Sequence, residues 1–188
     1  AGDGRVTLET SRGALEAGAA VVAANAWSGD LLPELAGLIV PVRGQALATA
    51  RIAPALRCAF GASLTPTGEY GQQTPEGTVI FGGCRTVAPG RDVGVREMVP
   101  TDEVQAAMDE ALVRLFPALR GVAIERRWAG LMAFTPDHTP VAGAAPGMPG
   151  VWFAGGFSGH GMPFSAPLGR LLAEAALSGA APAALAPL

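Results

Sequence analysis

Val151-Trp152-Phe153-Ala154-Gly155-Gly156-Phe157-Ser158-Gly159-His160-Gly161-Met162, with the amphipathic run that continues to Leu177, is the stretch on which the reading of this chain turns. Its apolar start predicts a short buried strand over Val151–Ala154. Leu168, Leu171, Leu172 and Ala175 share one face at helical spacing, which predicts a helix from Ser165 to Leu177 with Gly179 as its C-cap. Between the two, glycines at 155, 156, 159 and 161 remove side chains where backbone must approach something closely or where φ must be positive. A helix that starts just after such a turn aims free N–H groups and the positive end of its dipole at one place. Two readings stay open on the residues alone. The turn is a receptor for an anion or a polar ring, or it is a tight strand–helix corner in which glycine only permits packing. The spacing is not GxGxxG, so it is no phosphate fingerprint.

Working outward, Val6, Leu8 and Thr10 alternate with polar residues before a Ser11-Arg12-Gly13 turn, and Ala14–Glu16 resumes the pattern, predicting a hairpin. The small apolar run Ala19 to Ala24 predicts a strand buried on both faces. It breaks at Asn25-Ala26-Trp27-Ser28, with Ser28 capping a brief helix through Leu35. Leu38–Arg43 and Gln45–Thr49 read as strand around Gly44. Tyr70–Gln73 and Thr78–Gly82 flank a Thr74-Pro75-Glu76-Gly77 turn and predict a second hairpin. The clearest helix comes after Thr101 as N-cap, with Asp102 and Glu103 in its first turn. Val104, Ala107, Met108, Ala111, Leu112 and Leu115 form its apolar face, and Pro117 ends it. A further strand is expected from Val122 to Trp128, and the tail from Ala180 is Ala/Pro-rich. The fold class is α+β.

The bulk properties bound the function. The chain has 188 residues, is 49% hydrophobic and 15% charged, and so can build a core. Its net charge is −3 and all 13 basic residues are arginine, which excludes a basic nucleic-acid footprint. Cys58 and Cys84 make neither a metal-ligand spacing nor a disulfide framework, and a reduced, cytoplasmic setting is expected. No apolar run reaches the about 18 residues of a membrane span, because Gly and Pro interrupt Val141 to Phe157. The first residues show no signal-peptide pattern. They lack a starting Met, and Ala1-Gly2-Asp3-Gly4 reads as a turn inside something larger, so a fragment is expected.

Arg127-Trp128-Ala129-Gly130-Leu131, then Thr135-Pro136-Asp137 with Pro140, then Gly155-Gly156-Phe157-Ser158-Gly159-His160-Gly161-Met162, together resemble the C-terminal signature of FAD-dependent oxidoreductases of the D-amino-acid oxidase type. That family includes glycine, sarcosine and γ-glutamylputrescine oxidases. Val21-Val22-Ala23-Ala24-Asn25-Ala26-Trp27-Ser28 is similar to its second FAD-domain strand and turn. Pro41-Val42-Arg43-Gly44-Gln45 and Gly82-Gly83-Cys84-Arg85 are similar to its substrate-domain strands. The resemblance implies a two-domain α+β enzyme, with 1–37 and 129–188 in an incomplete Rossmann-like FAD domain and 38–128 forming a mixed-sheet substrate domain. It implies non-covalent FAD held by Ala24, Asn25, Trp27, Gly130, Gly156, Phe157, Ser158, Gly159, His160, Gly161 and Met162. Backbone N–H groups of Gly156 to Met162 would face the flavin's pyrimidine edge and ribityl chain, where negative charge builds up as hydride arrives. The implied reaction converts the C–N bond of an amine or amino acid to an imine.

Three departures from the family pattern narrow the chemistry. The arginine that holds the substrate carboxylate in glycine and D-amino-acid oxidases falls on Met132, and a thioether cannot make that bidentate pair. The flavin-attaching cysteine of sarcosine oxidases falls on Gly130, and their lysine after Gly-His-Gly falls on Pro163. Either the substrate lacks the carboxylate or another cation holds it. Arg85 is the candidate, set against an ordinary sheet-edge arginine. The pattern is nearest the γ-glutamylputrescine-oxidase branch.

No catalytic residue is assigned. His160 is expected to be hydrogen-bonded within its turn rather than an acid or base, because hydride removal from a neutral amine needs no strong base. His138 is expected to be solvated, and Asp137 to bond its own turn. Trp128 and Phe134 wall a cavity or fill core, and Cys84 is buried filler in a strand. No strand–GxGxxG–helix unit is present, nor the acidic residue about 20 residues beyond it. The chain is therefore expected to be inactive alone, its partners being a small amine or amino acid and the N-terminal half of the same protein. The alternative is a non-catalytic flavin-binding subunit that pairs with a separate Rossmann-bearing chain.

Overall fold

The computed structural model describes residues 5–185. The chain divides into two compact units, one from the described parts of Ala1–Pro41 and Met132–Leu188, the other Val42–Leu131.

The first unit opens with β1 (Val6–Thr10) and β2 (Gly13–Ala17), an antiparallel hairpin in which Leu8 faces Leu15 across the ladder. β3 (Ala20–Val22) comes next, then a 3₁₀ turn over Asn25–Trp27, α1 (Ser28–Leu31) and a second 3₁₀ turn over Pro33–Leu35. The structure corrects two expectations here. Only Ala20–Val22 of the small apolar run forms strand, and Val21 is 45% exposed rather than buried on both faces. β3 is an edge strand of its sheet, so one side of it lacks a neighbour among the described residues. Ser28 does not cap a helix to Leu35. It lies inside α1, and Pro33 starts a separate turn after Leu32 instead of continuing the helix.

The second unit carries most of β4 (Val40–Arg51), one continuous strand through Gly44. β5 (Phe60–Ala62), β6 (Glu69–Gln73) and β7 (Thr78–Gly83) come after it, then α2 (Asp102–Leu115) and β8 (Ile124–Phe134). The sheet order is β5-β6-β7-β4-β8. Leu47, Val79, Phe81, Val104, Met108 and Leu112 are buried in one cluster, formed where the 3.6-residue face of α2 covers the sheet. Thr101 occupies the N-cap position but does not cap with its side chain. Its hydroxyl accepts a hydrogen bond from Gln45 Nε2 at 3.0 Å, and its N–H donates to Gln45 Oε1 at 2.9 Å, so β4 rather than Thr101 itself fastens the helix start. Cys84 is buried as expected but not within a strand. β7 ends at Gly83, and Cys84 adopts φ 58 with its S–H directed at Glu69 Oε1.

The chain then returns to the first unit through β9 (Val141–Ala144), β10 (Val151–Gly155) and α3 (Gly161–Ser178). β10 is central, parallel to β3 with Phe153 opposite Val22, and antiparallel to β9. Leu168, Leu172 and Ala175 of α3 pack on Trp152 and Ala154. α3 begins four residues before the expected Ser165, because Pro163 falls in its first turn, where no intrahelical N–H is needed. Gly179 closes it at φ 73 as expected. No helix among the described residues is long and apolar enough to cross a membrane.

The core assignment yields a direct expectation. Met108 is fully buried, so Met108→Ala should lower the unfolding free energy by about 2–5 kcal/mol. Leu177 is 90% exposed, so Leu177→Ala should stay within about 0.5 kcal/mol of the parent, both read from urea denaturation.

Candidate functional site

β3 and β10 run parallel, so the Asn25 turn and the glycine turn leave the same, carboxyl, end of two neighbouring strands. Ligands of open α/β sheets bind at that end. The two turns also touch: a Cβ on Gly155 would lie 3.7 Å from Ser28 Oγ and 2.7 Å from Ile39 Cδ1. Ser28 Oγ is fully buried with no hydrogen-bond partner among the described residues, an orphaned polar atom beside the strand end. Sequence reasoning missed it, because a serine after Trp27 reads as an ordinary cap.

Within the glycine turn the four glycines do different things. Gly156 has φ 67, and a Cβ there would collide with Thr135 Cγ2, so this residue is glycine for packing and backbone shape. Gly159, at φ 88, has open space where a side chain would be. Ser158 is left-handed at φ 49 and is held from both sides. Its N–H donates to Ala133 O at 2.8 Å, its hydroxyl donates to Gly156 O at 3.2 Å, and Thr135 N–H donates to its Oγ. His160 Nδ1 lies 3.0 Å from Ser158 O, and its own N–H donates to Phe157 O at 2.8 Å. The imidazole is thus engaged within the turn.

A helix start leaves four N–H groups without intrahelical acceptors. In α3 these belong to His160, Gly161, Met162 and Pro163. His160 is satisfied by Phe157 O and proline has no N–H, which leaves Gly161 and Met162 as the outward donors. Ser158 N–H is likewise committed internally, so the expected set of seven N–H groups narrows. Phe157 is half-buried, and Met162 is 87% exposed. In the Asn25 turn, Ala24 accepts Trp27 N–H, Asn25 is left-handed at φ 50, and Trp27 is 42% exposed. Met132 is half-buried in β8, Asp137 accepts Thr139 N–H in its own turn, and His138 is exposed with its ring edge-on to Phe134.

The remaining candidates sit in the second unit. Gly130 lies in β8, and a Cβ added there would meet nothing within 4 Å. Arg85 comes after Cys84 in a 3₁₀ turn, and its Nη1 donates to Arg91 O at 3.1 Å. Burial lowers its pKa, with the Tyr70 phenol and Asp92 pulling the other way. Tyr70 is 48% exposed; desolvation of its covered part raises its pKa, and Arg85 lowers it. Its ring lies across Gly82, where a Cβ would be 2.6 Å from Tyr70 Cζ. Sequence reasoning missed Tyr70 because an alternating strand makes every second residue look equally surface-bound. No group of three or more His, Cys, Asp or Glu that could hold a metal occurs among the described residues.

The profile of the DAO family, described as FAD dependent oxidoreductase, matches residues 1–175. Glycine oxidase of Pseudomonas aeruginosa is 32% identical over 179 residues, which is 92% of this chain and 45% of that protein. Gamma-glutamylputrescine oxidoreductase of Escherichia coli is 30% identical over 178 residues, 89% of this chain and 38% of that protein. The chain therefore spans less than half the length of these curated relatives. Among solved structures, glycine oxidase from Bacillus cereus shares the fold at a TM-score of 0.80 and 19% identity, covering 98% of this chain and 50% of that one. L-proline dehydrogenase from P. horikoshii gives a TM-score of 0.73 at 27% identity, covering 95% and 48%.

The contrast between glycines is testable by stability. Gly156→Ala should destabilise more than Gly159→Ala, for which only the left-handed backbone, about 1–2 kcal/mol, is at stake. Adding Thr135→Ser, which removes the colliding methyl, should recover part of the Gly156→Ala loss. Thermal melts of the three variants decide it.

Proposed function

The chain belongs to the DAO family of FAD-dependent oxidoreductases, and from that premise we propose that it is the C-terminal part of an enzyme oxidising the C–N bond of an amine or amino acid to an imine. The observation that carries this reading is the pair of turns at the carboxyl ends of parallel β3 and β10, with the α3 start beside them. Glycine, γ-glutamylputrescine and L-proline, which name the relatives and neighbours above, all bear an amine nitrogen.

The residues fit the edge of a flavin ring. Gly161 and Met162 offer two adjacent N–H donors at a helix start, Gly159 leaves room for a close approach, and Ser28 Oγ is unpartnered nearby in the same unit. Bound FAD supplies the hydride acceptor. Donors of this kind stabilise negative charge that develops during the reaction, because they are already oriented when it appears. The helix dipole adds about 0.3–1 kcal/mol for an anion at that end. The substrate carbon gives up hydride, its nitrogen releases a proton to solvent, and the C=N bond forms. His160 fixes the turn and takes no part in that proton transfer.

The Ala24, Asn25 and Trp27 turn and Gly156 to Met162 complete the proposed cofactor contacts of the first unit. Attachment is non-covalent. Gly130 stands where a flavin-attaching thiol is expected, and Cys84 is a buried thiol pushed up to about 12 by desolvation and by Glu69. The first unit is then part of the FAD domain and Val42–Leu131 the core of a substrate domain. The pyrophosphate-binding unit belongs to the rest of a longer protein, its N-terminal half, as the partial coverage of the relatives supports.

The test is the complete reading frame, expressed and purified. It is expected to carry a yellow flavin that denaturation releases and that amines bleach under anaerobic conditions. A purified protein that stays colourless with added FAD and is not reduced by any amine would sink the proposal. Arg85 gives the finer test of substrate class. Arg85→Met should raise KM for carboxylate-bearing amines about 10–100-fold, the worth of a charge-assisted hydrogen bond, and leave carboxylate-free amines unchanged. An equal effect on both classes, or none, makes Arg85 an ordinary sheet-edge arginine.

A further inference from the structure

Gly90, Arg91 and Asp92 form a run of three left-handed residues, at φ 58, 55 and 58. Such a run is unfavourable for residues with a Cβ and does not persist unless the surroundings hold it. Here two ties close on it. The Asp92 carboxylate is 2% exposed and receives a bidentate fork from buried Arg43, Nε to Oδ2 at 2.9 Å and Nη2 to Oδ1 at 2.8 Å. Arg43 Nη1 also donates to Val99 O at 3.1 Å, and Val42 pairs with Val93 just beyond the turn. The carbonyl at the middle of the held turn, Arg91 O, is the acceptor for Arg85 Nη1.

We propose that the Arg43–Asp92 pair is a positioning device for Arg85: it holds the left-handed turn whose Arg91 carbonyl orients the Arg85 guanidinium toward an anionic group of the substrate. This rests on the reading of Arg85 as the cation that takes a substrate carboxylate. The pair is buried, with 9% and 2% of the two side chains exposed, and bidentate, which fixes direction as well as distance. A lysine in place of Arg43 would keep the charge and lose the fork. Arg43 and Asp92 touch no substrate and act only through the turn.

Tyr70 is the single tyrosine of the chain, so its phenolate absorbance reports this place alone. Desolvation raises the Tyr70 titration, and Arg85 lowers it. The charged groups that act on Arg85 are Tyr70, Asp92 and Arg91. Arg85→Met in the 188-residue chain should shift the Tyr70 titration upward and sets the reference. Asp92→Asn should shift it in the same direction, and the double variant Arg85→Met with Asp92→Asn should go no further than Arg85→Met alone. If Asp92 is only structural, Arg85 stays in place and the titration stays at the parent value, which overturns the proposal. Asp92→Asn leaves the Arg43 charge buried without its partner. The pair is therefore also replaced whole, Arg43→Met with Asp92→Leu, and the same upward shift is expected with the near-ultraviolet circular dichroism retained; its absence there equally overturns the proposal. Acetate, added at constant ionic strength, tests the reading beneath. It should raise the Tyr70 titration of the parent and not of Arg85→Met. No response to acetate removes Arg85 as a carboxylate anchor, whatever the Asp92 variants show.

Discussion

A strand buried along its whole length must have both edges hydrogen-bonded, and β10 meets that demand with β3 on one side and β9 on the other. The rest of the first unit is built around this. β3 is parallel to β10, so its exit turn and that of β10 lie at one end of the sheet. Parallel pairing cannot be closed by a tight hairpin, and here the whole second unit lies between the two strands in sequence. The close quarters at that end then dictate the glycines. Ile39 fills the space beside Gly155, so a Cβ there would have to displace its Cδ1, and Thr135 fills the space beside Gly156, which is also held at φ 67.

The second unit is organised by two different kinds of force. Its apolar cluster between α2 and the sheet supplies most of the burial. Crossing it is a polar chain: Gln45 binds Thr101 and Gln105, Gln105 accepts from Arg127, and Arg127 grips Asp109 with two bonds. The bonds among Gln45, Thr101 and Gln105 are neutral and contribute about 1 kcal/mol each net, and the Arg127–Asp109 ion pair is partly exposed and contributes about as little, so their weight lies elsewhere. Each fixes one residue of α2 or its N-cap against one residue of β4 or β8. A helix resting on an apolar sheet face could slide by a turn at small loss, and these bonds forbid it.

Much of this is legible in the sequence, and the failures have physical causes. The apolar period of α2 and the Tyr70–Gln73 and Thr78–Gly82 hairpin are readable because their signals are local. Thr101 stands where its sequence places it, at the helix start, but its bond is a different one. A cap is a local inference, whereas Gln45 reaches it from 56 positions away. Asp92 leaves no signal at all, since its partner Arg43 is 49 positions off and its backbone conformation is one expected of glycine. The start of α3 is hard to read because two prolines, 163 and 167, look like breakers, although only the interior one removes a bond the helix would make. The glycine turn is recognisable as a place, but its spacing does not distinguish Gly156, demanded by Thr135, from Gly159, which meets nothing.

That last distinction bears on the two readings of the turn, corner or receptor, because their demands fall on different residues. The corner is Gly155 and Gly156, crowded by Ile39 and Thr135, together with Ser158, whose N–H is taken by Ala133 O and whose Oγ accepts from Thr135 N–H. The N–H groups of Gly161 and Met162, at the head of an 18-residue helix, are the ones the proposed receptor would use there. Proline at 163 sharpens it by withholding the next donor, and His160 by spending its own on Phe157.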